Sequence, residues 1–399
     1  MMFSRSGKNM VMMCVLCAST LAIVLSTGGV RAASLGSCSP WTAVSSPNPA
    51  LIDNVLTAVV AVAPTDVWAV GFDDRGTLTE HWDGSAWTVV ASPNASPRMN
   101  NLFGVAAIST SDVWAVGDAF DSSSVTYHTL IEHWDGSTWS VIPSPNVGLD
   151  TNELLAVTAI SAQDVWAVGD YFQDGDQGRT GRTLTEHWDG ASWSVVPSPS
   201  VGKAQIEDNI LSAVTATSAQ DVWAAGMKVV EGSKVPRQTL ILHWDGKSWH
   251  VMDSPNGSQP NNELFGIAAI STSDVWAVGD MSSDTTPPQP LTEHWNGRKW
   301  STITSPTFAG GAVLSGVASL SPDAVWAVGT FKDSRNLPNT LTEQWDGASW
   351  SVVESPSPFV QGNTLSAVAV VPGTQSLWSV GYGVDQLDDF RTLTESYCV

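Results

Sequence analysis

Basic residues are scarce in this 399-residue chain, where 17 Lys and Arg stand against 39 Asp and Glu for a formal charge of −22. Affinity for a phosphate backbone draws on clustered Lys and Arg, so nucleic acid is not an expected partner. Cysteine is almost missing, with four in all, and Cys14 and Cys17 fall inside an N-terminal apolar stretch. No helical period of apolar residues recurs along the rest of the chain, which excludes a helical repeat. Tryptophan, by contrast, is abundant, with 20 copies.

Those tryptophans are periodic. Trp68, Trp114, Trp166, Trp223, Trp276, Trp326 and Trp378 each sit in a run like Asp-Val-Trp-Ala-Val-Gly, at intervals of 46 to 57 residues. A period near fifty points to propeller blades or a solenoid. In the first copy Leu56 to Ala63 and Val67 to Gly71 read as short strands. Leu78 to Trp82 alternates as a third, Gly84 breaks it, and Trp87 to Ala91 forms a fourth before Ser92-Pro93-Asn94. Each unit is a four-stranded antiparallel meander too small to bury both faces alone, and a ring of seven covers every face.

The chain ends supply a closure argument. The seventh copy stops after Leu393-Thr394-Glu395-Ser396-Tyr397-Cys398, without a fourth strand, while Trp41 to Asn48 matches Trp87 to Asn94. The expected fold is therefore an all-β, seven-bladed propeller whose N-terminal strand completes the last blade. In that alignment Cys398 and Cys38 fall on consecutive positions of a tight turn, within the Cα separation of about 4.4 to 6.8 Å that a disulfide spans. A Cys38–Cys398 bond follows, against two alternatives: free thiols, or an acylated Cys38.

Arg5 and Lys8 precede the apolar stretch from Met10 to Leu25, and Val30-Arg31-Ala32 offers a cleavage site. Residues 1–32 read as a secretory signal peptide and 33–399 as the propeller. The mature chain is then expected to be secreted, monomeric and without a transmembrane segment, keeping an even pair of cysteines in an oxidising compartment.

The repeated residues read as structural. The tryptophans serve as wedges between blades. His81, His133, His187, His243 and His294 are spread around the ring and cannot share a metal; each is assigned a hydrogen bond beside its neighbouring Trp. Asp66, Asp112, Asp164, Asp221 and Asp274 are assigned to backbone N–H groups of the first turn. Asn54, Asn100, Asn152, Asn209, Asn262 and Asn363 are assigned to the turns that open the innermost strands.

What does not repeat is confined to one face. Loops between the second and third strands run from six residues, Phe72 to Thr77, to 14, Asp170 to Thr183. Variable loops on a constant scaffold usually carry recognition. The candidate ligand residues are Asp118, Phe120 and Tyr127 in blade two, with Tyr171, Phe172, Asp174, Asp176 and Arg179 in blade three. Aromatics beside acids suit sugar stacking and hydroxyl hydrogen bonds. Asp174-Gly175-Asp176 could also hold calcium, although it lacks the longer ligand series of a recognised loop; no cofactor is expected.

At the level of the blade the chain resembles the kelch repeat family over residues 38 to 398. Val67-Trp68-Ala69-Val70-Gly71 is similar to its second-strand motif, with one Gly where the family has two, and Trp82 with Trp87 is similar to its spaced aromatic pair. The resemblance implies binding to other molecules. The copper site of its oxidase members is not recreated by Tyr127, Tyr171, Tyr382 and Tyr397. Asp83-Gly84-Ser85-Ala86-Trp87 more weakly resembles the Asp-box of sialidase-like propellers, with its spacing one residue short. The expected function is a secreted, non-enzymatic propeller that recognises an extracellular polysaccharide or surface protein. The alternative is a carbohydrate-active enzyme, hydrolase or lyase, with carboxylates from different blades meeting at the channel mouth.

Overall fold

The computed structural model describes residues 41–148, 150–175, 178–201, 208–230, 233 and 236–398, and gives no side-chain description for 174–179. Residues 1–40, including the expected signal peptide and Cys38, lie outside the described residues. Every regular element described is a β-strand, 28 in number. They fall into seven antiparallel four-stranded units, here blades one to seven, of which blades four and five are joined by the single parallel pairing Arg237↔Asn261. Blade one comprises Asn54–Ala63, Asp66–Asp73, Gly76–Trp82 and Trp87–Val89. Blade seven takes its outer strand, Thr42–Val44, from the other end of the chain. That strand pairs antiparallel with Phe390–Tyr397 in the register Thr42↔Ser396 and Val44↔Thr394.

Tryptophan joins the blades to one another. Trp68 of blade one lies 4.9 Å from Trp134 and 5.3 Å from Trp139 of blade two, ring centroid to ring centroid. The same triad recurs from blade to blade. Trp326 of blade six meets Tyr397 and Trp41, and Trp378 of blade seven meets Trp82 and Trp87 of blade one at 4.9 and 5.1 Å. The seventh sheet thus packs on the first, and one apolar cluster holds Leu56, Val67 and Trp82 together with Trp378 and Val380. Each buried indole ring removes roughly 150 to 250 Å² from water, which makes this belt the main source of cohesion between sheets.

The single Gly that ends each Asp-Val-Trp-Ala-Val-Gly run has a steric cause. The innermost strand of every blade carries a β-bulge after its buried Leu, between Leu56 and Ala58 in blade one. The bulge pushes the Val55 carbonyl oxygen to 1.9 Å from where a Cβ on Gly71 would stand. All seven equivalent glycines meet a carbonyl at 1.9 to 2.0 Å, so no side chain fits there.

One repeated group behaves differently from the sequence reading. The Asp carboxylates before Val-Trp do not cap turn N–H groups; they accept from the histidines, His81 to Asp66 at 2.9 Å and His243 to Asp221 at 2.7 Å. Trp114, Trp166 and Trp223 also donate their indole N–H to the Asp two residues earlier. Blade six has Ala324 and Gln344, and blade seven Ser376 and Ser396, so both members of the pair disappear together. The repeated glutamates Glu80, Glu132, Glu186, Glu293, Glu343 and Glu395 are fully buried. Desolvation pushes their pKa values up to about 7 for Glu343 and about 8 for the other five. Glu293 accepts from Ser254 of the preceding blade at 2.7 Å, and Glu343 from Ser305. At pH 7 the five near 8 are mainly protonated and neutral, which explains why Leu242, equally buried, can hold the same position in blade four.

The asparagines behave as read. The Asn100 side chain accepts the Ser96 N–H at 2.8 Å and donates to the Ser96 carbonyl at 2.8 Å, clamping the loop between blades. Cys398 is disulfide-bonded. Its expected partner, Cys38, lies outside the described residues.

Candidate functional site

Packing requirements fall on all seven blades alike, so a residue that breaks the repeat is one the scaffold does not demand. Two positions facing each other across the inner strands break it together. One precedes the buried Leu of the first strand; the other follows the constrained Gly of the second. Blades one, four, six and seven pair Val55 with Phe72, Ile210 with Met227, Val313 with Thr330 and Thr364 with Tyr382. Blades two, three and five instead pair Asn101 with Asp118, Glu153 with Asp170 and Glu263 with Asp280.

Blades two and three are neighbours, which brings their polar groups together. Asp118, on the strand Asp112–Asp121, is 4% exposed and accepts a hydrogen bond from Asn101 Nδ2 at 2.8 Å. Burial, opposed by the Asn101 bond and reinforced by the Glu153 charge on the next blade's strand Asn152–Ser161, raises its pKa to about 7. The result is a carboxylic acid half protonated near neutrality within electrostatic reach of a second carboxylate. Tyr127, on Thr126–Trp134, has its pKa raised by burial and then by Asp118 and Glu153. Its ring meets Phe120 edge-on at 5.3 Å. Towards blade three, Tyr171, Phe172, Asp150 and Thr126 line a cavity of about 630 Å³, within the range of about 300 to 1,000 Å³ usual for small-molecule sites.

Five of the sequence candidates, Asp118, Phe120, Tyr127, Tyr171 and Phe172, therefore lie on this sector. Asp176 is outside the described residues, and the side chains of Asp174 and Arg179 are likewise undescribed, so the calcium expectation falls outside what is seen. Among the described residues no group of three His, Cys, Asp or Glu is placed to hold a metal. Asp121, next to Phe120, is a loop cap: Ser123 and Ser124 donate to it and hold its pKa at about 2. Sequence reasoning missed Asn101 and Glu153. The signal was the residue between the repeated Asn and Leu, which is apolar or Thr in four blades and Asn or Glu in three.

No protein-family model matches this chain, and no curated protein matches it. Solved structures do. YCF48 with a bound D1 peptide is 13% identical with a TM-score of 0.50, over 90% of this chain and 94% of its own. A polysaccharide lyase described as an ulvan lyase is 10% identical with a TM-score of 0.53, over 88% and 95%. A protein of unknown function from Dyadobacter fermentans is 10% identical with a TM-score of 0.51, over 86% and 98%. The fold is a β-propeller. At these identities the likeness shows the architecture alone and supports a generic propeller rather than the kelch type. It also corrects one expectation: a fold that serves a polysaccharide lyase as well as a peptide-bound protein gives no ground for reading this propeller as non-enzymatic. Among the described residues no helix is long and apolar enough to cross a membrane.

Proposed function

We propose that this propeller is a carbohydrate-active enzyme whose reaction is carried by Asp118 and Glu153 where blades two and three meet. The observation that carries the reading is Asp118 itself: a buried acid with pKa about 7, held by Asn101 and coupled to a carboxylate of a different blade. Phe120 and Tyr127 stand beside it as an aromatic wall for a sugar ring. Asp118 gives its proton to the glycosidic oxygen as the bond to the anomeric carbon breaks. Glu153 takes a proton from the attacking water or attacks that carbon directly. Hydrolysis is the reaction two carboxyl groups favour. Elimination on a uronate would need donors to neutralise the substrate's carboxylate, and acidic groups dominate here.

The test is incubation of the purified chain with neutral and acidic polysaccharides, measuring new reducing ends and unsaturated ends. Cleavage abolished by Asp118→Asn and by Glu153→Gln is expected, with new reducing ends only. Cleavage that survives both substitutions refutes the assignment.

The same reading places the protein outside the cell, with residues 1–32 removed as a signal peptide and Cys38 paired with Cys398. Non-reducing mass analysis of secreted material should find one linked peptide pair and an N-terminus near Ala33. A free thiol at Cys38, or a bond from Cys398 to Cys14 or Cys17, contradicts it.

A further inference from the structure

A second departure from the repeat lies on blade five, away from Asp118. In the other six blades the third and fourth strands are latched at the variable-loop face by one pair of side chains. The Thr that opens the third strand bonds through its hydroxyl to the Ser of Ser-Pro, and its N–H donates to the residue after that Pro. In blade one these are Thr77 with Ser92 at 2.8 Å and Thr77 N–H to Asn94 at 3.1 Å; in blade two, Thr129 with Ser144 at 2.7 Å and Thr129 N–H to Asn146 at 3.0 Å. Blades three, four, six and seven repeat it with Thr183, Thr239, Thr340 and Thr392.

Blade five lacks that pair. Pro290 replaces the Thr, so its N–H and hydroxyl are both gone, and Thr307 replaces the acceptor; the neighbouring Gln289 side chain ties the strand instead, donating to the Phe308 carbonyl and accepting the Phe308 N–H, both at 2.8 Å. Above them opens a groove of about 430 Å³ with no charged residue in its lining. Met281, Pro290 and Ile303 give it an apolar floor, while Thr302, Thr304 and Thr307 bring exposed hydroxyls to its rim. Those three hydroxyls make no hydrogen bond with the described residues. The fold did not require the exchange, since six blades do without it. The site therefore combines an apolar floor, unspent hydroxyl donors and acceptors, and no charge.

We propose that this groove binds a neutral glycan strand, with the apolar face of a sugar on Met281 and Pro290 and its hydroxyls on the three threonines. The proposal rests on the carbohydrate reading above and adds a second, non-catalytic contact for the polymer on the same face as Asp118.

The test restores the latch. Pro290→Thr with Thr307→Asn rebuilds in blade five what blades one, two, four and seven already contain, so the variant is expected to fold. Binding of xylohexaose, cellohexaose, laminarihexaose and mannohexaose is measured by calorimetry on an Asp118→Asn/Glu153→Gln background, which prevents turnover. At least one probe should bind, and the restored latch should weaken it tenfold or more. Binding of none of the four, or equal binding after restoration, overturns the inference. Wild-type cleavage of a polysaccharide without blade-five binding overturns this inference alone; binding lost on restoration, in a protein that cleaves nothing, overturns the catalytic reading alone.

Discussion

Six glutamic acids buried between blades make stability depend on pH in an unusual direction. Their folded pKa values of about 7 to 8 lie above the unfolded value of 4.5. Between those limits the folded chain keeps the protons and the unfolded chain releases them, so stability is fully present below about pH 4.5 and is lost as pH rises towards 8. One such group changes the unfolding free energy by about 1.4 kcal/mol per pH unit, or about 4 kcal/mol from pH 5 to 8. Six acting at full strength would exceed the 5 to 15 kcal/mol that holds an ordinary domain, so relaxation and water entry absorb part of the cost and these figures are ceilings. Asp118 and Asp280, raised to about 7 and about 6, act in the same sense. The turn aspartates Asp83, Asp135 and Asp245, lowered to about 2, act in the opposite sense but only below about pH 4. The perturbation is Glu186→Leu, copying Leu242 of blade four. Guanidinium unfolding followed by tryptophan fluorescence at pH 5, 6, 7 and 8 should show the wild type losing stability throughout. The variant should lose less, by up to about 1.4 kcal/mol per pH unit. Stability that is flat or rises over this range, or a variant with the wild-type slope, refutes the reasoning.

Other consequences follow from the same geometry. Trp276→Ala removes the ring that sits between Trp345 and Trp350 and should cost about 3 to 5 kcal/mol in unfolding experiments. Gly226→Ala places a Cβ 2.0 Å from the Ile210 carbonyl oxygen and should destabilise more than most point mutations, by about 4 kcal/mol or more, read as a lowered melting temperature. His187→Ala strands the Asp164 carboxylate with only the Trp166 indole as partner. It should cost about 1 to 3 kcal/mol, and Asp164→Ser/His187→Ser, the blade-seven combination, should recover part of that. Cleavage by the Asp118–Glu153 pair should fall about tenfold per unit above pH 7, as Asp118 gives up its proton.

The blade count and strand pairing were legible because the tryptophans repeat, and because Trp41 to Asn48 supplies what the seventh copy lacks. The pairing of Thr42–Val44 with Phe390–Tyr397 is that reading in coordinates. Chemistry at repeated positions was only half legible. That His81 makes a hydrogen bond beside its neighbouring Trp could be read, but its acceptor, Asp66, is 15 residues away in sequence and was assigned to a turn. The bulge that fixes Gly71 left no trace apart from the Gly itself. The candidate site was legible in its aromatics and in Asp118, which stand where the second and third strands run out towards the variable loops. Asn101 and Glu153 escaped because they sit within the innermost strands, where a period-two reading assigns positions to faces and does not show which face of one blade meets the next. Pro290 stands in the sequence where the other blades have the Thr before the third-strand Leu, yet its meaning depends on an acceptor 17 residues later that only the folded latch identifies.

The account stands or falls on where a sugar binds. Crystals of the Asp118→Asn/Glu153→Gln protein soaked with an oligosaccharide that the wild type cleaves should show a glycosidic oxygen within hydrogen-bond reach of residue 118, with a ring against Phe120 or Tyr127. A sugar bound only elsewhere on the propeller, with the junction of blades two and three empty, contradicts it.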